Sequence, residues 1–262
     1  MGEIYPCCLT IAGSDSGGNA GVQADLRTFH AFKIHGCTAF AALTAQNPFG
    51  VRAVLPVPRE FLLEQLDAIF ASYQVAALKT GMLGDVEAIE TVAEKISMRR
   101  NVAKVVDPVM VASSGSKLIK DEAIISLKRN LFPMATVITP NIPEAEILSG
   151  IKLETLSDVK DAAKRLYDEF GCAVLIKGGH RLSLNNDAQD TLFDGKEFSF
   201  YSMPWIENPI STHGTGCTLS AAIAASLALG NSLRVAVKKA KEYVYQAIAK
   251  SYLVGEDCGV LY

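Results

Sequence analysis

The sequence predicts an α/β fold, a three-layer α/β/α sandwich on a central, mostly parallel sheet. Three observations carry this expectation. Short apolar runs alternate with segments of helical periodicity along most of the 262 residues, the pattern of strands joined by crossover helices. Four of those runs end in polar or glycine-bearing stretches, as strands do where they deliver the chain to a ligand-binding rim. No internal repeat and no linker rich in Pro, Gly or Ser divides the chain, so one domain over residues 1–262 is expected.

In chain order, residues 6–12 form an apolar run that breaks at Gly13-Ser14-Asp15-Ser16-Gly17-Gly18-Asn19, which reads as strand then loop. Residues 20–32 place Val22, Leu26, Phe29 and Ala31 on helical spacing. Residues 36–44 and 51–57 read as strands around the polar turn Gln46-Asn47-Pro48-Phe49-Gly50, and residues 61–71 as helix. Strand 75–79, helix 86–98, strand 103–106, helix 121–130 and strand 136–138 then alternate. An amphipathic helix over 158–170 and a buried strand over 173–176 follow. Residues 182–187 read as a mobile surface loop, and residues 189–203 as an antiparallel hairpin turning at Asp194-Gly195. Two long helices, 215–229 and 232–250, close the series.

Composition narrows the function. A hydrophobic fraction of 49% with 20% charged residues is that of an ordinary globular chain. A net charge of −3 disfavours a nucleic-acid or anionic-membrane partner. No apolar run reaches the length of a membrane span, and Met1-Gly2-Glu3 carries no basic region, so a cytoplasmic location is expected. The six cysteines form no C-x-x-C pair and have no histidine at ligand spacing, which argues against a zinc site. A disulfide framework is equally unsupported in a chain of this size. Cys7, Cys8, Cys37 and Cys172 lie in apolar segments and read as small hydrophobes; Cys217 alone has the setting of a site.

That setting is His213-Gly214-Thr215-Gly216-Cys217-Thr218, ahead of an Ala-rich apolar run. Its two glycines let backbone approach an anion, and Thr215 or Thr218 is placed to cap the helix. The result is a helix N-terminus whose amides and partial positive charge suit a phosphate, and whose field favours a Cys217 thiolate. The strand ends Lys79-Thr80-Gly81-Met82, Asp107-Pro108-Val109-Met110, Thr139-Pro140-Asn141 and Lys177-Gly178-Gly179-His180 are expected along the same rim. There Asp107 and Glu144 offer hard oxygen ligands for Mg2+, and Lys177 a flexible cation for a nucleotide phosphate. Together these are the parts of phosphoryl transfer. Singly, each has a plainer reading: Asp107 as a turn former before Pro108, Glu144 as a first-turn acid, Lys177 as a solvated strand end. The chain lacks G-x-x-x-x-G-K-[ST], a protein-kinase catalytic loop and G-x-G-x-x-G.

Taken together, Ala12-Gly13-Ser14-Asp15, Gln23-Ala24-Asp25-Leu26-Arg27-Thr28-Phe29, Leu43-Thr44-Ala45-Gln46-Asn47, Lys79-Thr80-Gly81-Met82, Asp107-Pro108-Val109-Met110, Thr139-Pro140-Asn141 with Glu144, and the stretch from His213 to Thr218 resemble one family. It is that of the hydroxymethylpyrimidine/phosphomethylpyrimidine kinases of thiamine biosynthesis, within the ribokinase-like superfamily, and the motifs stand in that family's order. The resemblance implies an ATP- and Mg2+-dependent enzyme that phosphorylates the hydroxymethyl group of 4-amino-5-hydroxymethyl-2-methylpyrimidine and then converts the monophosphate to the diphosphate. It implies an acceptor pocket at Gly13, Asp25, Gln46, Met82 and Val109, and nucleotide contacts at Asn141, Lys177 and Thr215. It also implies Mg2+ and phosphate contacts at Asp107 and Glu144, an anion hole from Gly214, Thr215, Gly216 and Cys217, and Cys217 as the base; a homodimer is expected besides. Asn19 departs from the family's usual glycine, and the tail over residues 253–258 lacks the family's glycine- and histidine-rich ending.

Three other kinds of protein remain in view. A pyridoxine/pyridoxal kinase would share the glycine loop and the Gly-Cys anion hole; Gln46 favours the aminopyrimidine, because a carboxamide presents donor and acceptor together to its edge. A cysteine hydrolase using His213 and Cys217 leaves Asp107 and Lys177 without purpose, and a non-catalytic nucleotide-binding protein on the same scaffold leaves Cys217, Lys177 and Glu144 unexplained.

Overall fold

The computed structural model describes residues 5–111, 118–179 and 187–261. Its elements, in order, are β1 (Cys7–Gly13), α1 (Gly21–Ala31), β2 (His35–Asn47), β3 (Gly50–Pro56), α2 (Arg59–Ser72), β4 (Val75–Thr80), α3 (Val86–Ser97), β5 (Ala103–Val106), α4 (Asp121–Ser126), β6 (Val137–Ile138), α5 (Ile142–Ser149), α6 (Leu156–Phe170), β7 (Ala173–Lys177), β8 (Asp187–Phe193), β9 (Phe198–Pro204), α7 (Thr215–Ala228), α8 (Leu233–Ala249), β10 (Tyr252–Leu253) and β11 (Gly259–Val260). One sheet runs β3-β2-β1-β4-β5-β6-β7-β8-β9. Strands β2, β1, β4, β5, β6 and β7 are parallel, with antiparallel β3 at one edge and the β8–β9 hairpin at the other. This is the ribokinase-like α/β sandwich.

The alternation of side chains along each strand builds the two outer layers. Cys7, Leu9 and Ile11 of β1, with Leu78, Val106, Ile138, Val174 and Ile176, pack against Leu62, Leu66, Ile89, Val92, Leu148 and Leu166 from α2, α3, α5 and α6. The opposite face sends Cys8, Ala77, Val105, Val137, Ala173 and Leu175 against Phe29 of α1, the Ala-rich α7 and α8. Helix α7 is buried from Thr218 to Ser226, so its sequence is apolar all round rather than amphipathic. Helix ends follow local chemistry: Asp85 caps α3, accepting from the Ala88 amide at 2.9 Å, and Asn141–Glu144 and Thr155–Asp158 form capping boxes on α5 and α6.

Three expectations change. The helix expected over 121–130 is α4 followed by a π turn, Leu127–Leu131, and a 3-10 turn, Phe132–Met134. The Phe132 amide reaches back to the Leu127 carbonyl just ahead of Pro133, which has no N–H to continue an α-helix. Helix α5 and the ribbon β10–β11 were invisible to periodicity: the first is eight residues long and the strands of the second two each. Gln46 and Asn47 belong to β2, not to the turn. The loop expected at 182–187 and His180 lie outside the described residues, except for Asp187, which opens β8. Among the described residues no helix is long and apolar enough to cross a membrane.

Candidate active site

The same alternation that fills the α1/α7 layer with apolar side chains ends, at the carboxyl edge of the parallel strands, in polar ones. Thr10 of β1, Lys79 of β4, Asp107 after β5, Thr139 after β6 and Lys177 closing β7 succeed one another across the sheet under α1 and α7. All but Lys177 are buried. The partners they choose divide the rim into two halves.

In the first half, Asp107 Oδ1 accepts from Lys177 Nζ at 2.9 Å and from Thr139 Oγ1 at 3.2 Å, while Oδ2 accepts from Ser220 Oγ of α7 at 3.2 Å. Burial pulls the Lys177 ammonium down, but Asp107 and Glu144 outweigh it and the net shift is upward, so the cation is firmly charged. Glu144 is 1% exposed. Its Oε2 accepts from the Asn141 amide at 2.8 Å and its Oε1 from the Met110 amide at 2.9 Å. The plain reading, a first-turn acid completing a capping box, is therefore realised in full, and the same carboxylate also ties the turn at residues 109–111 to α5. Burial raises its pKa against the opposing pull of Lys177. Asn141 caps α5 and lies beside Lys177 in an isolated parallel bridge.

Gly216, in the first turn of α7, faces this pair: a methyl group there would sit 3.5 Å from Lys177 Nζ and 3.9 Å from Asp107 Oδ2. No side chain caps α7. The expected threonine cap is absent, because the Thr215 hydroxyl donates to the Thr212 carbonyl at 3.0 Å and Thr218 lies inside the helix. The cap position is Gly214 at φ 87, so no side chain satisfies the first-turn amides, of which that of Thr215 reaches the Thr212 carbonyl at 3.4 Å. Its Cβ, were there one, would lie 1.9 Å from the Asn19 carbonyl oxygen. The first glycine loop therefore packs backbone to backbone against the α7 terminus.

Asp15 shapes that loop. Its carboxylate accepts from the amides of Gly17, Asn19 and Ala20 at 2.8, 2.9 and 2.8 Å, and His213 Nε2 lies 3.8 Å away. Burial pushes the carboxyl up, but His213 and the three amides more than offset it and leave the pKa low. Asn19 is 3% exposed and joins the loop through main-chain atoms. The tail has a matching part: Ser251 and Gly259 meet the segment at Ile210 and Ser211 that leads into His213.

The second half holds the residues expected to face the acceptor. Gly13 donates to the Met82 carbonyl at 2.9 Å, and a methyl group on Gly13 would come within 2.6 Å of Met82 Cε. Half-buried Gln46 is held to the loop through its main chain, its amide and carbonyl each 2.7 Å from Ser16 Oγ. Val109 stands at φ 45, a region unfavourable to a β-branched residue, on the turn Glu144 holds. Asp25 is placed differently from expectation. It is fully buried, both oxygens accept from Lys79 Nζ at 2.9 and 2.8 Å, and Thr10 Oγ1 donates at 2.5 Å, so its carboxylate is taken up by partners within the protein. Lys79, for which sequence suggested no role of its own, is its equally buried partner; only its place at a strand end beside Gly81-Met82 marked it.

Cys217 also departs from expectation. Burial pushes the thiol up; Lys79 pulls it down, Asp25 and Asp107 push it up again, and the net shift is upward. Desolvation outweighs the pull of Lys79 and of the Gly21 amide, a direction that favours the protonated thiol. Among the described residues no cluster of three His, Cys, Asp or Glu could cage a metal ion. The carboxylates instead suit a magnesium ion that arrives on phosphates and keeps most of its other ligands.

The model of the family described as phosphomethylpyrimidine kinase matches residues 15–261. The chain is 44% identical over 257 residues to the hydroxymethylpyrimidine/phosphomethylpyrimidine kinase of Bacillus subtilis, covering 98% of this chain and 94% of that one. It is 46% identical over 251 residues to the thiamine biosynthesis bifunctional protein ThiED of Geobacter sulfurreducens, covering 96% of this chain but spanning 51% of that longer protein. Among solved structures, an ADP complex of Bacillus subtilis pyridoxal kinase superposes with a TM-score of 0.90 at 38% identity, covering 98% and 97% of the two chains.

Proposed function

The chain belongs to the phosphomethylpyrimidine kinase family, and from that premise we propose that it transfers the terminal phosphoryl group of ATP to the hydroxymethyl group of 4-amino-5-hydroxymethyl-2-methylpyrimidine, and then phosphorylates the monophosphate to the diphosphate. One observation supports this reading above the others: the Asp107–Lys177 pair faces an uncapped, glycine-bearing helix N-terminus. Lys177 lies where it can follow charge migrating from donor to acceptor, and the amides of Gly214 to Cys217 offer donors to the transferring group. Asp107, with Glu144 behind it, would hold magnesium carried on the nucleotide, which supplies neutralisation of phosphate charge. Thr215 and Asn141 flank the nucleotide end. Cys217 enters as an amide donor and a compact side chain rather than as a standing thiolate; the acceptor hydroxyl loses its proton late, as a loose transition state allows.

Gln46 decides the acceptor in this reading. Its main chain is fixed by Ser16, and its half-buried carboxamide, whose oxygen accepts from Thr44 Oγ1 at 3.4 Å, suits the amino edge of a pyrimidine. The pyridoxal-kinase reading keeps weight from the likeness to the Bacillus subtilis pyridoxal kinase fold. ADP release with magnesium-ATP, measured over hydroxymethylpyrimidine, its monophosphate, pyridoxal, pyridoxine and no acceptor, tests both. Preference for pyridoxal would overturn the pyrimidine reading, and release without any acceptor would overturn both. We also infer one kinase domain over residues 1–262 acting as a homodimer. The hairpin β2–β3 exposes Leu43, Val51, Val54 and Leu55, an apolar edge that a second copy would cover. A monomer in sedimentation equilibrium refutes the dimer.

A further inference from the structure

The Lys79–Asp25 pair lies behind the acceptor side of the rim, and the phosphoryl-transfer steps above give it no task. Both side chains are fully buried, and their bonds are short and directional. An apolar pair of similar volume would commonly be as stable or more so, so stability alone is a weak account of a buried ion pair. Its connections are more informative. Lys79 is the penultimate residue of β4, which ends at Thr80 and leads into Gly81 and Met82; Asp25 lies on α1, whose N-terminus continues the loop at residues 14–20. A methyl group on Gly81 would come within 2.9 Å of Lys79 Nζ and 3.0 Å of Ala12 Cβ, so the ammonium lies directly under the Gly81 backbone. The Gly81 amide donates to the Ile11 carbonyl at 3.0 Å and the Gly13 amide to the Met82 carbonyl at 2.9 Å. Thr10, on the strand between them, donates to the same carboxylate. The pair thus joins the two segments that wall the acceptor; toward the Asp107–Lys177 half the Asp107 amide donates to the Thr80 carbonyl at 3.0 Å, a main-chain bond in which the three side chains take no part.

We propose that Lys79, Asp25 and Thr10 are positioning residues for the acceptor: their buried bonds fix the spacing between the Gly13–Asn19 loop and Gly81–Met82, and so set acceptor affinity without touching the nucleotide. This rests on the kinase reading for its kinetic test alone. Directional bonds hold a register that apolar contact does not, which gives the decisive variant. Thr10→Val, Asp25→Leu and Lys79→Met combined leave no buried charge or orphaned hydroxyl. The triple variant should melt close to wild type while the acceptor KM rises roughly tenfold or more and the ATP KM stays within about twofold. Amide hydrogen exchange should quicken over residues 14–20 and 81–83 and stay unchanged across β5 to β7. Thr10→Val alone, which keeps the ion pair, should give a smaller rise in acceptor KM with the same unchanged ATP KM, and it is readable should the triple variant not fold. Wild-type enzyme that turns over no pyrimidine sinks the kinase reading and leaves the exchange result to judge this inference. Variants whose acceptor KM and exchange match wild type, or whose two KM values rise together, show the network to be ordinary packing.

Discussion

Replacing Gly214 by alanine tests whether the anion hole depends on backbone contact between two loops. Alanine at φ 87 carries a steric penalty of roughly 1–2 kcal/mol. The larger effect is positional. Its Cβ would lie 1.9 Å from the Asn19 carbonyl oxygen, where side-chain carbons essentially never approach within 3.0 Å, so one backbone must retreat by about 1 Å. The atom that blocks it belongs to the main chain, so no rotamer change relieves it. A shift of about 1 Å in groups that align a reacting phosphoryl costs on the order of a hundredfold in rate, roughly 2.7 kcal/mol of barrier. Steady-state ADP release at saturating magnesium-ATP and acceptor should therefore show kcat down by about two orders of magnitude, with a melting temperature lower by only a few degrees. A kcat within threefold of wild type would show that the loops part without disturbing the donors, and the assignment of the α7 terminus as the anion hole would fall.

Other outcomes follow from the same geometry. Lys177→Ala should lower kcat by about a hundredfold or more, because the cation on the migrating charge is lost; an unchanged rate and magnesium dependence contradict the assigned site. Gln46→Met should weaken pyrimidine use by roughly 1–3 kcal/mol and leave pyridoxal untouched, and equal loss for both acceptors makes Gln46 structural. Iodoacetamide should label Cys217 in the ligand-free protein with a pH midpoint above that of an ordinary thiol; a midpoint below it restores the thiolate base. Because the Asp15 carboxyl is held low in the folded state, its stabilisation is present above the ordinary carboxylate range and is lost as pH falls through the depressed value. Urea melts across acid pH should show wild type losing stability more steeply than Asp15→Asn, and parallel curves would refute the loop-organising role.

Period-two and period-3.6 patterning made the strands and long helices readable, and the fall of Asp107, Asn141 and Lys177 at strand ends made one rim readable too. What escaped was set by partners distant in sequence. Nothing near Asp25 indicates that Lys79, 54 positions away, will take both of its oxygens, and an acid on a helix after a glycine loop reads as a ligand contact until its burial is known. Glu144 hid a similar ambiguity, since a capping box and a site carboxylate share one sequence signature. For Cys217 the helix field was legible, but the desolvation that overrides it belongs to the packed layer around α7. Short elements such as α5 and the β10–β11 ribbon carry too few residues for a period to emerge.

The contact between Gly214 and the Asn19 carbonyl bears on how such a site can change over time. Where the glycine loop meets the α7 terminus two backbones are pressed together, and main-chain atoms offer mutation no graded choices: a residue there is tolerated or it breaks the contact. Gln46, Met82 and Val109, the positions proposed to flank the acceptor, present side chains instead, and there variation can be graded. A scaffold so divided keeps its phosphoryl chemistry while its preference for one ring over another drifts, and kinases for different small-ring alcohols can share one backbone with little alteration.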